Sequence, residues 1–306
     1  MEKKISVIMS SYRENEYCLR QAIESVLAQT YRNFEFIIVL DDPFNELHKK
    51  IVREYLERDS RIAFYVNKTN MGLVKSLNRA LRYAKGEYVI RMDADDICVP
   101  KRFEWQLSEA QEKGLDLLGS YLKSVDEEGN TIFIYDNLPL TPEEIRDKIV
   151  YNNCIPHPSW LVRKEVYEQL KGYRDIPLCE DYDFILRAIQ AGYQVGNLNR
   201  VALFYRMTSQ SLSRSSLLKQ YLISRYLIQC YQKKQPYDKG RAARMLKKSC
   251  TDRNSRAYCR SNDFFNQGLS EIEKGHKGRA TIYMVRAFVG SRFFAKKMLG
   301  FFRAAL

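Results

Sequence analysis

Apolar runs and amphipathic segments alternate along the first hundred residues. Four β-favouring runs have the pattern of buried strands: residues 5–9, 34–40, 61–66 and 88–92. The segments between them place apolar residues at helical spacing, for example Leu73, Leu77, Ala80 and Leu81. Strands that alternate with helices in this way predict a parallel sheet with right-handed crossovers and flanking helices.

The pattern changes after residue 96. Two β-favouring runs, 115–120 and 131–135, flank the turn-forming sequence 126–130 and predict a hairpin. The remaining elements predicted before residue 213 are helices over 142–151 and 180–191, strands over 159–163 and 201–205, and a short helix that follows the 159–163 strand and ends near Leu170. From about residue 217 onward every segment has helical spacing. The predicted fold class is therefore α/β with an α-helical C-terminal region.

Charge divides the chain into the same two parts. The whole chain has a net charge of +13, yet residues 214–306 carry 21 Lys/Arg and five Asp/Glu, which leaves residues 1–213 at −3. We therefore predict two regions, 1–213 and 214–306, that have different partners. A basic region suits partners that carry phosphate or other anionic groups: nucleic acid, anionic lipid or a polyanionic glycan.

Composition also bears on the compartment. The seven cysteines are widely spaced and include no C-x-x-C pair, so we expect reduced thiols in a cytosolic protein. No run of about 18 apolar residues predicts a transmembrane helix. The first apolar run is too short for a signal peptide. These features together predict a cytoplasmic protein.

The sequence YVIRMDADDICVPKR at 88–102 is the strongest candidate for chemistry. Its predicted strand runs directly into Asp93, Asp95 and Asp96, and a predicted helix begins near Pro100. The three carboxylates therefore follow the carboxyl end of a strand, where open α/β sheets bind their ligands. Asp93 and Asp95 can bind one hard divalent cation through oxygen, and such a cation can bridge a diphosphate. An ordinary solvated acidic turn is the alternative.

Several further motifs occur in order around this turn: ISVIMSSYRENEY, IESVLAQTYRNFEFIIVLDD, NMGLVKSLNRAL, HPSWLVRKEV, GYRD and CEDYDFILRAIQAGY. Together they resemble the family 2 glycosyltransferases over roughly residues 4–213. The resemblance implies a GT-A fold, which is Rossmann-like with a mostly parallel sheet, in which residues 1–98 bind a nucleotide sugar and residues 99–213 bind an acceptor. It implies inverting transfer of a sugar, expected to be UDP-linked, with Mn²⁺ or Mg²⁺, onto a hydroxyl of a glycan or lipid-linked glycan. Bacterial surface polysaccharide synthesis is the expected setting.

The resemblance also assigns roles to individual residues. Asp181 is the expected general base, with Glu180 as the next candidate, since an acceptor hydroxyl loses a proton as it attacks. Asp95 and Asp93 are the expected metal ligands. The expected donor-binding residues are Ser11, Tyr12, Asp41, Asn70, Gly72, Asp93 and Arg206. The expected acceptor-binding residues are His157 and Asp96, the latter behind the metal ligands.

Most of these assignments have a purely structural alternative. The alternatives are a helix cap for Asp41, Glu180 and Asp181, a packed tyrosine for Tyr12, a buried core histidine for His157, and a surface ion pair for Arg206. Arg206 also precedes a Ser-rich loop predicted over 209–213.

The last predicted helix has an apolar stripe that includes Phe294, Met298, Phe301 and Phe302, and basic residues on its other side. This is the pattern of an interfacial helix, so we expect the basic region to bind an anionic membrane surface, at the inner face of the cell membrane. A helix docked on the catalytic domain is the alternative, and a homo-oligomer is a further possibility. Two other functions stay open: a sugar nucleotidyltransferase of related fold, and a non-enzymatic basic protein that binds polyanions. No nucleic acid partner is expected, because no such binding motif is present.

Overall fold

The structure, a computed structural model, describes residues 4–207 and 216–305, with side chains up to residue 300. The chain forms two compact units. The first comprises Met1–Ile149, Asn153–Asp175 and Asp183–Ser209, and the second comprises Val150–Asn152, Ile176–Tyr182 and Gln210–Leu306.

The first unit contains the sheet. Its strands are β1 (Ile5–Ser11), β2 (Phe34–Leu40), β3 (Ile62–Val66), β4 (Tyr88–Asp93), β5 (Ile97–Cys98), β6 (Leu117–Val125), β7 (Thr131–Tyr135), β8 (Leu161–Arg163) and β9 (Val195–Arg206). Its helices are α1 (Glu16–Leu27), α2 (Glu46–Leu56), α3 (Leu73–Tyr83), α4 (Arg102–Glu112), α5 (Pro142–Lys148), α6 (Lys164–Gln169) and most of α7 (Glu180–Gln190). A short 3₁₀ turn, His157–Ser159, precedes β8.

The strands described in residues 4–207 form one sheet in the order β3-β2-β1-β4-β8-β6-β9-β5, with β7 paired to β6. The first four strands are parallel, as predicted, and β1 lies between β2 and β4. The other half is mixed, because β8 runs antiparallel to both β4 and β6. Ser11 pairs with Leu40, and Ser10 pairs with Asp93. The carboxyl ends of β1, β2 and β4 therefore meet at one edge of the sheet.

Burial explains why β1, β2 and β4 could be predicted from the sequence. β1, β2 and β4 are almost wholly buried under helices, so their sequences are continuous apolar runs and do not alternate. The helices begin where the chain supplies caps: Asn15 and Asn45 accept backbone N–H groups at the starts of α1 and α2. Gly86 ends the turn between α3 and β4, where a Cβ would lie 2.6 Å from Ser6 N.

Two strands are longer than the sequence pattern predicts. β6 runs on to Val125, and the strand predicted over 201–205 is only the end of β9, which begins at Val195. Polar residues interrupt the apolar pattern in these extensions. One of them, Asn197, is buried, and its amide donates to Pro139 O at 2.7 Å and to Cys154 O at 3.0 Å, which offsets the cost of burying a polar group. Pairing with neighbouring strands therefore defines the extra length.

The second unit is helical, as predicted. Its long helices are α8 (Leu217–Gln232), α9 (Lys239–Ser249), α10 (Asp252–Glu273), α11 (Lys277–Gly290) and α12 (Arg292–Ala305). They enclose a small hydrophobic core whose buried members are Leu218, Leu222, Tyr258, Ala287, Phe294 and Met298. None of the helices in the described residues is both long and apolar enough to span a membrane.

The predicted membrane-facing stripe of the last helix is wrong at Phe294 and Met298, and the side chains of Phe301 and Phe302 lie outside the described residues. Phe294 and Met298 are only 1% and 4% exposed, because α12 buries them in the core of the second unit. The Phe294 ring packs against Tyr258 and Phe265 at 5.2 and 5.7 Å. Neighbouring helices and lipid can both cover an apolar stripe at helical spacing, and here the helices cover Phe294 and Met298.

Candidate active site

The acidic turn follows β4 at the edge of the sheet where β1 and β2 also end. Asp93 is the last residue of β4, and Asp95 and Asp96 form the turn into β5. Carboxyl oxygens of these three residues lie within 4.8 Å of one another. The described residues hold no second group of three acidic, histidine or cysteine side chains this close. The sequence prediction therefore identified the residues that the fold brings together.

Repulsion within the acidic turn is only partly offset. Arg91 is buried beside the turn, and its Nη1 donates to Asp93 Oδ2 at 2.5 Å. Burial, together with the carboxylates of Asp93 and Glu14, raises the pKa of Asp95 to about 7. Burial, together with the carboxylates of Asp93 and Asp95, raises the pKa of Asp96 well above its usual range. Carboxylates held this close favour a proton or a cation between them.

The two oxygens of Asp96 have different surroundings. Oδ1 accepts the backbone N–H of Arg206 at 2.9 Å, whereas Oδ2 is buried and has no hydrogen-bond partner in the described part of the chain. Leaving a buried polar oxygen without a partner costs free energy. Carboxylate oxygens are also the ligands that Mg²⁺ and Mn²⁺ prefer. The residues present therefore fit a divalent cation, with Asp93 and Asp95 as ligands.

Arg206 fastens the acidic turn from behind. It is 2% exposed, so the alternative of a surface ion pair is wrong. Its Nε donates to Asp95 O at 2.9 Å, its Nη1 to Glu127 O at 2.7 Å and its Nη2 to Gln21 Oε1 at 2.6 Å. The guanidinium thus ties the acidic turn to the β6–β7 hairpin and to α1. Contact with the donor stays a prediction, and the Ser-rich loop over 209–213 lies outside the described residues.

Asp41 is the buried acid that follows β2. Its Oδ1 accepts Asn67 Nδ2 at 2.6 Å and Met71 N at 2.8 Å, and its Oδ2 accepts Gly72 N at 2.8 Å. Gly72 has a φ of +85°, which glycine adopts freely and which places its N–H beside the carboxylate. Asp41 therefore fixes the 70–72 segment in front of α3, with the exposed Asn70 at its start. Donor contact by these residues stays a prediction.

The loop after β1 is braced by two residues that sequence reasoning missed, Glu14 and His48. The buried hydroxyl of Ser11 hydrogen-bonds with Glu14 Oε2 at 3.0 Å and with His48 Nδ1 at 2.7 Å. His48 Nε2 donates to Glu14 O at 2.8 Å, and Tyr12 N donates to Glu14 Oε2 at 2.9 Å. Tyr12 is partly exposed, so it is not a packed core residue. The available signal for His48 was a histidine on the apolar face of α2.

His157 lies in a buried cluster of aromatic side chains. Its Nε2 hydrogen-bonds with Tyr173 Oη at 2.9 Å, and that hydroxyl also hydrogen-bonds with Tyr167 Oη at 2.9 Å. The imidazole packs against Trp160 with ring centroids 4.5 Å apart. Burial, and secondarily the charge of Arg91, lowers the pKa of His157 well below its usual value. These contacts agree with a structural histidine, and the acceptor contact stays a prediction.

A buried pair on α4, Arg102 and Gln106, holds the base of the acidic turn. Arg102 Nη2 donates to the carbonyls of Arg91 and Pro158, each at 3.0 Å, and Gln106 Nε2 donates to Ser159 O at 2.7 Å. The pair therefore joins β4 to the 3₁₀ turn before β8. Sequence reasoning gave these residues no role. The available signal was an arginine and a glutamine four residues apart on the face of a helix that also carries its apolar stripe.

Glu180 and Asp181 form the first turn of α7, in the segment that groups with the second unit. Both residues are partly buried. A carboxylate in a first helical turn is favoured in its ionised form by the helix dipole. Asp183 is instead buried in the first unit, where its Oδ2 accepts Arg187 Nε at 2.7 Å. The general-base role of Asp181 or Glu180 stays a prediction.

The sequence matches known proteins along most of the first unit. A family model described as Glycosyl transferase family 2 matches residues 6–171. The chain is 35% identical over 230 residues to an uncharacterized glycosyltransferase of Methanocaldococcus jannaschii, with 75% of this chain and 79% of that protein covered. It is 32% identical over 217 residues to the O-antigen biosynthesis glycosyltransferase WbnJ of Escherichia coli, with 70% and 83% covered.

The fold also matches a solved structure, that of S. aureus TarS 1-349 in complex with UDP-GlcNAc. The TM-score is 0.64, and the match covers 94% of this chain and 92% of that chain at 17% sequence identity. At this identity the match supports a shared fold, in which a mixed α/β sheet flanked by helices is followed by a helical region.

Proposed function

The chain belongs to glycosyl transferase family 2 and has the GT-A fold, and on that premise we propose that it transfers a sugar from a nucleotide-diphosphate donor to a hydroxyl group. The proposed acceptor is a glycan or a lipid-linked glycan. The proposed reaction depends on a metal and inverts the configuration of the anomeric carbon. Family membership makes the protein a glycosyltransferase. It therefore argues against the two alternatives, a sugar nucleotidyltransferase and a non-enzymatic polyanion-binding protein. The relative named for O-antigen biosynthesis supports a surface-polysaccharide acceptor. The TarS complex with UDP-GlcNAc supports a UDP-linked donor.

The observation that carries this proposal is the acidic turn after β4, where three carboxylates converge and Asp96 Oδ2 has no hydrogen-bond partner among the residues that the structure describes. Asp93 and Asp95 would hold the divalent cation, which, when bound, neutralises negative charge on the departing nucleoside diphosphate. Arg91 fixes the position of Asp93, and the backbone of Arg206 fixes that of Asp96. These contacts hold one proposed ligand, Asp93, and the neighbouring Asp96, while Arg206 also holds the backbone carbonyl of Asp95.

The donor site follows from which side chains the fold leaves accessible. The proposed donor-binding residues besides the metal ligands are Ser11, Tyr12, Asp41, Asn70, Gly72 and Arg206. Tyr12 and Asn70 have exposed surface, so they are the side chains available to a nucleotide. Asp41 and Arg206 are buried and would act by holding the 70–72 segment and the acidic turn in place.

Deprotonation of the acceptor hydroxyl is the second requirement. We assign it to Asp181, with Glu180 as the next candidate, because both acids occupy the first turn of α7. The hydroxyl oxygen attacks the anomeric carbon as its proton passes to the carboxylate, and the bond to the diphosphate breaks on the opposite side. His157 and Asp96 are the proposed contacts to the acceptor.

We also place the protein in the cytoplasm, at the inner face of the cell membrane. The support is the charge of residues 214–306, which carry 21 Lys/Arg and five Asp/Glu. Anionic lipid attracts such a region.

A donor screen tests the proposal. A panel of nucleotide sugars is incubated with the purified chain and Mn²⁺, and release of the nucleoside diphosphate is measured with and without acceptor mixtures. We expect one donor to be hydrolysed well above the others, and excess chelator to stop the reaction. A folded protein that hydrolyses no donor, or one that is fully active in chelator, would contradict the proposal.

A further inference from the structure

Helix α11 has an inner and an outer face that are both apolar. The inner face is formed by Ala280, Met284 and Ala287, of which the two alanines are buried. A Cβ on Gly268 of α10 would lie 3.0 Å from Met284 Cε, so this face of α11 packs closely on α10. The inner face thus accounts for the contribution of α11 to the core of the second unit.

The outer face is an apolar stripe without cover in the described residues. Ile282, Val285 and Val289 are 56%, 54% and 73% exposed. At 100° per residue they fall within about 60° of the helix circumference, opposite Ala280 and Ala287. Three β-branched apolar side chains in a line on an exposed helix are unusual for a surface that contacts only water.

Basic residues lie along one side of the stripe. From residue 274 to the end, the sequence has eight Lys/Arg and no Asp/Glu. Arg279 and Arg286 are exposed and lie about 40–60° to one side of Ile282 on the helix surface. An apolar line with cations along one flank is the arrangement that inserts at the boundary between lipid headgroups and acyl chains.

We propose that the outer face of α11 is a docking surface for an anionic lipid bilayer. Ile282, Val285 and Val289 enter the apolar boundary, while Arg279 and Arg286 bind lipid phosphates. The surface goes beyond the transfer reaction, because it belongs to the second unit and uses none of the residues assigned to chemistry. It also replaces Phe294 and Met298 of α12, which are buried, as the membrane-facing part of the basic region.

The charge and the size of this surface favour lipid over a second copy of the chain. Two copies would bring their arginines and lysines together, and residues 274–306 supply no acid to pair with them. A stable dimer interface buries about 800 Å² on each partner, whereas this stripe consists of three small side chains. A bilayer surface supplies both the missing negative charge and an apolar layer.

Vesicle co-sedimentation tests the proposal, with phosphatidylcholine–phosphatidylglycerol vesicles compared with phosphatidylcholine alone. We expect the full chain to bind the anionic vesicles and to bind the neutral ones weakly. The double variant Val285→Asp, Val289→Asp should lose more than tenfold in partitioning. The double variant Arg279→Gln, Arg286→Gln should lose roughly 25-fold, since each basic group near the surface contributes about fivefold.

Matched controls separate this surface from general charge and apolarity. Ile132→Asp alters a residue on β7 that is 53% exposed, and Lys247→Gln with Lys248→Gln removes two exposed cations from α9. Both controls should partition within about twofold of the unaltered chain. Far-ultraviolet circular dichroism checks that every variant keeps its helices.

Three outcomes would overturn the proposal. They are unchanged binding of the α11 variants, equal losses in variants and controls, and the dissociation of an oligomer by the valine substitutions in light scattering without vesicles. The last outcome would assign the surface to a second copy of the chain. Because binding is measured without donor or acceptor, a negative result leaves the proposed transfer reaction intact.

Discussion

The ends of β2 and β4 flank the same strand, β1, and each is followed by a buried aspartate. After β2, both oxygens of Asp41 accept hydrogen bonds from Asn67 and from two backbone N–H groups. After β4, Asp96 has one oxygen without a partner among the described residues and lies close to the carboxyl oxygens of Asp93 and Asp95. Each strand end is followed by a buried aspartate, but only at Asp41 do both carboxylate oxygens accept hydrogen bonds from the described residues.

The difference separates two uses of the same residue type. A buried carboxylate with a full set of donors stabilises the fold and holds a segment of chain in place. A buried cluster of carboxylates that lacks donors is destabilising by itself and is stabilised by binding a cation. We therefore interpret the end of β2 as a brace for the 70–72 segment, and the end of β4 as the proposed cation site. The predictions below test this division.

Asp95→Ala should have the largest effect. It removes a charged ligand from the proposed cation site, so transfer should fall to background while the fold is kept, because Asp95 contributes only its carbonyl to the Arg206 bracing. The measurement is the initial rate of sugar transfer at saturating donor and Mn²⁺. Asp147→Ala, at an exposed aspartate on α5, is the matched control and should keep the full rate. Undiminished turnover in the Asp95 variant would mean that the acidic turn does not take part.

Asp181→Asn tests whether the transfer reaction also needs a carboxylate that lies at neither the end of β2 nor the end of β4. Asparagine keeps the size of the side chain and still caps a helix, but it does not accept the hydroxyl proton. Turnover should fall by about 10²–10⁴-fold if Asp181 is the general base. The dissociation constant of the donor, measured by calorimetry on the same variant, should change little. Loss of donor affinity as well would place Asp181 in the donor site, and normal turnover would shift the role to Glu180.

Asp41→Asn and Asp96→Asn should have opposite effects on stability. An amide at position 41 brings an N–H toward groups that already donate, so unfolding should become easier by about 1–3 kcal/mol. An amide at position 96 still accepts the N–H of Arg206 and removes a buried charge from the cluster. The metal-free Asp96 variant should therefore be at least as stable as the unaltered chain in urea unfolding. Equal destabilisation of the two variants would contradict the division into brace and ligand site.

The stabilisation by Mn²⁺ should depend on pH. The pKa of Asp95 is raised to about 7, so the folded metal-free chain takes up protons that the unfolded chain releases. The stability that these protons give is lost as pH rises from about 4 to about 7. Mn²⁺ replaces the protons, so its shift of the melting temperature should be several degrees larger at pH 8 than at pH 5.5. Asp95→Asn should abolish the difference between the two pH values.

Sequence reasoning located the elements whose burial requires a run of apolar residues in the sequence. The parallel strands β1, β2 and β4 were found because strands covered by helices become continuous apolar runs. The acidic turn was found because Asp93, Asp95 and Asp96 are neighbours in the chain. The same reasoning missed His48, Arg102 and Gln106, since their partners are brought to them only by packing between different elements. It also missed Glu14, whose side chain accepts from the neighbouring Ser11 and Tyr12 in a turn that hydrophobic periodicity does not describe. Hydrophobic periodicity predicts that a residue is buried, but it does not predict which groups that residue contacts.

The α12 stripe and the α11 stripe show the same limit in another form. In sequence, Phe294 and Met298 resemble an interfacial helix more closely than Ile282, Val285 and Val289 do. The fold places the first pair in the core and the three β-branched residues on the surface. Which of two apolar stripes a bundle covers depends on how the helices pack together, and that information is not local to either helix.

The bond between Asp96 and Arg206 also sets an order of events during synthesis. It joins residues 110 positions apart, and β5, which follows Asp96, pairs with the end of β9. At ribosomal rates these 110 residues take roughly 6–22 s to add. For that time a nascent chain that already has β1–β4 lacks the backbone N–H that holds the carboxylate of Asp96 and the guanidinium that holds the carbonyl of Asp95. The acidic turn is thus synthesised early, but its contacts with Arg206 form only after about 110 further residues have been added.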